Sequence, residues 1–170
     1  MRLFILGAGG FGRTVYDLAK QTNKYSEICF LDDASLDSCV VGKCSEYKQF
    51  ATDDTEFYPA IGNNIVRQEW IDKLNNEGIK LATIVHNSSY ISPTAKIGKG
   101  CVVLPNSVIN TNVMISDGCI IKCGAIIDHD CVIESSVHVC LGAIIKAENR
   151  IKQCSKIEAG EIIQFGTFKL

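Results

Sequence analysis

ISPTAKIGKGCVVLPNSVINTNVMISDGCIIKCGAIIDHDCVIESSVHVCLGAIIKAENRIKQCSKIEAGEII, residues 91–163, makes sense only when read in sixes. Ile91, Ile97, Val103, Ile109, Ile115, Ile121, Ile127, Ile133, Val139, Ile145, Ile151, Ile157 and Ile163 follow at intervals of six, thirteen in succession without a miss. Four residues after each stands, in most repeats, a small or β-branched residue, such as Ala95, Cys101, Ser107, Val113, Cys119, Ala125, Cys131, Val137 or Ala143. A helix has no six-residue period, and an ordinary strand alternates by two. The pattern predicts a three-sided prism with one hexapeptide per face and eighteen residues per coil, a little over four coils in all. Its aliphatic residues point inward and stack on their equivalents one coil away. Asn149 and Glu161 occupy the interior slot, where an unpaired polar group costs a few kcal/mol. The last coil is therefore expected to be loose, distorted or covered by a partner.

The segment before the repeat has a different grammar. Residues 2–6, RLFIL, read as a buried parallel strand and run into Gly7-Ala8-Gly9-Gly10-Phe11-Gly12, a G-x-G-x-x-G match ahead of a helical stretch, RTVYDLAK. Glycines at such a turn let backbone N–H groups and a helix N-terminus approach a phosphate. A second strand, Glu27 to Leu31, ends in Asp32-Asp33, where carboxylates can meet a ribose or base edge. A third strand around Phe57–Ile61 enters Gly62-Asn63-Asn64, with Asn64 as the expected N-cap of a helix burying Val66, Trp70 and Leu74 and ending near Gly78. Leu81 to Val85 reads as a fourth strand. About 86 residues make half of a dinucleotide fold, which suits one nucleotide better than a dinucleotide.

Composition narrows the function classes. The chain has 170 residues, 46% hydrophobic and 21% charged, which excludes a disordered polymer. A net charge of −2 offers no basic field for nucleic acid. No apolar run is long enough for a membrane span, and four or five apolar residues before the first glycines are too few for a signal peptide. Nine cysteines, odd in number and without a CxxC pair, read as reduced cytoplasmic thiols; no metal site is expected. Cys101, Cys119 and Cys131 serve as small hydrophobes in the interior slot.

The two halves together resemble the sialic acid O-acetyltransferase/sugar N-acetyltransferase family, especially the bacterial UDP-4-amino-sugar N-acetyltransferases. The resemblance rests on GAGGFGR, FLDD at Phe30–Asp33, AIGNNIVR at Ala60–Arg67, IVHNSSYISPTAKIGKG, and IIDHDCVIESSVHV at Ile126–Val139. It implies an α/β Rossmann-like unit over residues 1–86, binding a nucleotide-sugar, and a C-terminal left-handed parallel β-helix of hexapeptide repeats over 87–170. It further implies a cytoplasmic homotrimer that moves acetyl from acetyl-CoA to an amine or hydroxyl of a sugar. Gly7, Gly9, Gly12, Asp32, Asp33, Gly62 and Asn63 would form the nucleotide-sugar site. His129 would be the general base, Asp130 its orienting carboxylate and His138 a second histidine in the cleft, while Gly142 and Ala147 would line the CoA groove. Imidazole suits the proton removal that an attacking amine needs. His129 and His138 are nine residues apart, one and a half faces, so a cleft holding both must lie between subunits.

Three departures stand out. Lys122 replaces an asparagine usual in relatives, Lys146-Ala147 stand where relatives have Ala-Gly, and relatives run on through further coils that carry much of the CoA groove. A shortened, catalytically impaired trimer that binds nucleotide-sugar is the alternative reading, and O-acetylation is another. An NAD(P)-dependent oxidoreductase would rest on the glycine motif alone, without a second nucleotide-binding half.

Overall fold

The computed structural model describes residues 1–35 and 38–168. The chain divides into two compact units, Met1–Ile84 and Val85 onward. In the first, β1 (Arg2–Leu6) leads to α1 (Gly10–Gln21), β2 (Glu27–Leu31) and β3 (Val40–Gly42). A 3-10 helix (Cys44–Phe50), β4 (Thr55–Pro59) and α2 (Asn64–Asn76) complete it. The four strands are parallel in the order β3-β2-β1-β4. Leu3 to Leu6 are all buried because both faces of a parallel sheet are covered, which explains the unbroken apolar run. The chain leaves β1 through α1 to β2 on one side, while β4 lies on the other. That change of direction opens a crevice beyond the carboxyl ends of β1 and β4.

Four local expectations change. β4 begins at Thr55, and α2 is capped by Asn63, not Asn64: the Asn63 side chain accepts from Ile65 N (3.0 Å) and Val66 N (3.2 Å). The buried side of α2 is Arg67, Ile71 and Leu74, leaving Val66 exposed and Trp70 half-buried, edge-on to Tyr47. The arginine escapes an apolar pattern because its stem packs as a hydrocarbon. Leu81 makes only a single bridge to Phe57, and Ile84–Val85 is the first rung of the prism rather than the end of a fourth strand. The six-residue register thus starts at Val85, one repeat before Ile91.

From β5 (Ile84–Val85) to β18 (Ile162–Ile163), two-residue strands recur every six residues and stack in parallel into three sheets, a left-handed β-helix. The first sheet holds Val102–Val103, Ile120–Ile121, His138–Val139 and Lys156–Ile157 after β5. The second runs through Tyr90–Ile91, Val108–Ile109, Ile126–Ile127 and Ile144–Ile145 to β18, and the third through Lys96–Ile97, Met114–Ile115, Val132–Ile133 and Arg150–Ile151. Partners sit eighteen residues apart, as in Ile121↔Val139 and Ile127↔Ile145. The inward aliphatics form one continuous core along the axis. Each fully buried one contributes roughly 1.5–3 kcal/mol.

The small interior slot has a second property that composition hid. Cys101 Sγ donates to Ser116 O (3.1 Å), Ser107 Oγ to Lys122 O (3.0 Å), Cys119 Sγ to Glu134 O (3.1 Å) and Cys131 Sγ to Lys146 O (3.2 Å). Each reaches a turn carbonyl fifteen residues ahead. Burial pushes the Cys101 and Cys131 thiols up, keeping them protonated donors. No disulfide joins cysteines among the described residues.

Asn149 follows the same rule. Its Nδ2 donates to Gln164 O (2.9 Å) and Lys146 O (2.8 Å), and its Oδ1 accepts from Phe168 N (2.9 Å). Glu161 is exposed, with its carboxylate accepting from Glu158 N at 2.7 Å. The last coil is therefore regular, its strands paired with those of the coil before, and the expected loosening does not occur. Asn149→Val should lower unfolding stability by about 1–3 kcal/mol in urea titration, because it strands the Gln164 carbonyl and Phe168 amide. Cys119→Ser, which keeps a donor, should cost less.

Candidate active site

The loops leaving β1 and β4 run side by side. Gly7 lies in the left-handed region (φ +104°), and a Cβ there would press within 3.3 Å of the Ala60 carbonyl oxygen. A Cβ on Gly12 would collide with the Gly7 carbonyl. These two glycines are required by the fold itself. Gly9 and Gly62 are different: neither has positive φ, and a Cβ at either would meet nothing within 4 Å. Both stand beyond the carboxyl ends of β1 and β4, beside the N-termini of α1 and α2, where backbone N–H groups favour an anion.

Asp32 braces this cradle. Its Oδ2 accepts from Ala8 N (2.7 Å), and its Oδ1 from Ala34 N (2.8 Å) and Ser35 N (2.7 Å). Those amide donors hold its carboxyl below the usual range. Asp32 thus ties the glycine loop to the turn after β2. Asp33 is exposed, with Oδ1 accepting from Cys44 N at 3.1 Å. Gly7, Gly9, Gly12, Asp32, Gly62 and Asn63 are all at the carboxyl edge of the one sheet.

In the β-helix, His129 and Asp130 form the corner between the second and third sheets. Asp130 adopts φ +56°, a left-handed conformation that Asp tolerates better than most residues. Asp130 Oδ2 lies 2.8 Å from His129 Nδ1, and Oδ1 accepts from Asn112 Nδ2 at 3.0 Å. Asp128 Oδ1 accepts from His129 N (2.8 Å) and from Asn110 Nδ2 (3.2 Å). A carboxylate on Nδ1 sets the tautomer that leaves Nε2 able to take a proton. The hydrogen bond that His129 donates to Asp130 raises the His129 pKa above its ordinary 6.5, with further support from the charges of Asp128 and Glu148. Asp130 is in turn lowered, first by Asn112 and then by His129. Asn110, Asn112 and Asp128 did not emerge from the sequence, although Asn112 is Asp130 minus one eighteen-residue coil.

Other expected residues fall elsewhere. Ala147 is buried directly one coil beyond His129, and Lys146 extends along the same corner to Gln164 Oε1 at 2.6 Å. His138 lies half-buried on the outer side of the first sheet, across the prism from that corner. Gly142 is at the corner between the first and second sheets, with φ +63° and open space around it. One prism therefore joins His129, Asp130 and Ala147 but keeps His138 and Gly142 apart from them. In an NMR titration the His129 ring should show a midpoint above 6.5, and Asp130→Asn should move that midpoint down.

Among the described residues, no helix is long and apolar enough to cross a membrane, and no group of three or more His, Cys, Asp or Glu side chains could hold a metal. Residues 2–74 match the family model of the PglD N-terminal domain. The acetyltransferase domain of PglB from Neisseria gonorrhoeae FA1090 is similar at 32% identity and a TM-score of 0.91, over 95% of this chain and 81% of that one. The same domain in complex with acetyl coenzyme A matches at 33% identity and a TM-score of 0.92, over 95% and 80%. PerB from Caulobacter crescentus, in complex with CoA and GDP-perosamine, shares the fold at 23% identity and a TM-score of 0.71, over 96% and 92%. The chain belongs to the sugar N-acetyltransferase family of hexapeptide-repeat acyltransferases.

Proposed function

We propose that this protein transfers acetyl from acetyl-CoA to the amino group of a nucleotide-linked amino sugar, with His129 as general base. The observation that carries the reading is the His129–Asp130 pair at 2.8 Å on a hexapeptide prism. The attacking amine gives its proton to Nε2 as the C–N bond forms at the thioester carbonyl. Asp130 stabilises the resulting imidazolium, and collapse of the tetrahedral adduct expels the CoA thiolate, which takes the proton from Nε2 and returns His129 to its neutral form. No acyl-enzyme is needed, so no cysteine need act as nucleophile. The open glycines Gly9 and Gly62 and the helix N-termini beside them suit the diphosphate of a nucleotide-sugar, UDP-linked by the resemblance of the motifs. Gly142 and Ala147 would line the CoA groove. Nucleotide-sugars and acetyl-CoA are cytoplasmic metabolites, in keeping with the unbridged cysteines.

Assembly as a homotrimer follows from the same reading. The outer side of the second sheet presents Tyr90, Val108, Ile126, Ile144 and Ile162, an uncharged column through five rungs. Tyr90 is 55%, Ile126 38% and Ile162 48% exposed in the single chain. An apolar stripe of this length calls for burial. The corner bearing His129 borders it, so packing the column on another copy puts His129 at the rim of the interface. His138 would then come from a neighbouring copy.

The test is thiol release from acetyl-CoA with UDP- and GDP-linked amino sugars, and with hydroxyl acceptors for comparison. Turnover with an amino sugar is expected, and none with any of them would overturn the reading. His129→Ala should lower kcat by about two to four orders of magnitude while nucleotide-sugar affinity persists. Because the base must be neutral, kcat/KM should rise with pH through the raised His129 pKa, and Asp130→Asn should shift that limb to lower pH. Ile126→Glu should reduce the light-scattering mass toward that of a single chain.

A further inference from the structure

Arg67 is the only charged side chain that is fully buried among the described residues. Burying a guanidinium costs several kcal/mol unless its donors are met, and an apolar residue would fill the same volume at lower cost. Its partners show what the charge accomplishes. Nη1 donates to Ile61 O (2.8 Å), in the turn between β4 and α2, and Nη2 to Asn64 Oδ1 (2.9 Å), at the first residue of α2. No peptide bond among the described residues is cis, the Ile61–Gly62 bond included. In a trans peptide the C=O and the following N–H point in opposite directions. With the Ile61 carbonyl held inward on Arg67, the Gly62 N–H is turned outward. It donates to no acceptor among the described residues, and the space where a Gly62 Cβ would stand is open. The next residue, Asn63, uses its own side chain on Ile65 N and Val66 N. The turn thus keeps its helix capped while its glycine presents a bare donor at the crevice.

We propose that Arg67 is a positioning residue for the diphosphate of the nucleotide-sugar, holding the Ile61–Gly62 peptide so that the Gly62 N–H meets a phosphate oxygen. The inference rests on the nucleotide-sugar reading above and goes beyond it by naming the donor and the buried cation that aims it. Lysine has one compact ammonium in place of the planar fork, so it cannot reach the Ile61 carbonyl and Asn64 with the same geometry.

The experiment follows the Gly62 amide by ¹⁵N NMR in the wild-type chain during addition of UDP, GDP, uridine and guanosine, and repeats calorimetry and kinetics with Arg67→Lys. The Gly62 resonance should move with at least one nucleoside diphosphate and much less with its nucleoside. Arg67→Lys should weaken that diphosphate on the order of tenfold and raise KM for the nucleotide-sugar. Its kcat at saturation and KM for acetyl-CoA should stay within about twofold, a split that general destabilisation would not give. A bound diphosphate that leaves Gly62 unmoved, an equal response to nucleoside, wild-type affinity in the lysine variant, or parallel loss of every kinetic parameter would each overturn the proposal. If neither diphosphate binds the wild-type protein, the nucleotide-sugar reading itself fails and Arg67 loses this role with it. Gly62→Ala, which adds a methyl group in open space, provides a variant that should fold normally and still bind the diphosphate less well.

Discussion

Backbone pairing at a fixed offset governs the second unit. Val102 N donates to Cys119 O, Val108 N to Ala125 O, Met114 N to Cys131 O and Ile120 N to Val137 O, each seventeen residues ahead. With three short faces per coil, that ladder forces residues eighteen apart into one column. Everything else in the β-helix follows from the columns: aliphatic columns from the three faces fill the axis, and columns of small donors satisfy the turn carbonyls. Two further columns, one on either side of His129 in its corner, are polar. In them the eighteen-residue spacing joins Asn112 to Asp130 and Lys146 to Gln164.

That corner shows how a solenoid places chemistry without a loop insertion. His129 and Asp130 are adjacent in sequence, and adjacent residues rarely face each other. A left-handed Asp130 folds the carboxylate back onto the ring, and Asn112 from the preceding coil holds its other oxygen. The column supplies rigidity, and the turn supplies exposure. Both residues remain about half exposed, so the pair is accessible, and its electrostatics are softened by solvent.

The first unit divides its glycines by a physical criterion. Gly7 and Gly12 are demanded by the chain's own backbone, whereas Gly9 and Gly62 leave room that nothing in the protein fills. Asp32 closes the same region by accepting three amides, so its carboxylate is chiefly a brace. Arg67 works from beneath the neighbouring turn. The anion-favouring crevice is built from backbone donors, oriented by two side chains of opposite charge on separate elements.

The sequence by itself determined the six-residue period of the prism and the glycine turn after β1, while the His129–Asp130 pair was legible only through the resemblance of its motif to a known family. The first two are legible because repeat spacing and glycine placement are local constraints written directly into residue order. It misjudged Asn149 and Glu161, since whether an interior slot is dry or supplied with acceptors depends on carbonyls fifteen residues away and on where the coil opens to solvent. It also missed Arg67, whose stem packs like a hydrocarbon while its head finds a carbonyl six residues back. Only the tertiary structure decided that Val85 starts the prism and that Asn112 supports Asp130, whereas the nine-residue spacing had already set His138 and His129 on different sides of it. The places of Val85 and Asn112 depend on which backbone groups pair across a distance, and hydrogen-bond register is a property of the folded coil rather than of any short stretch of sequence.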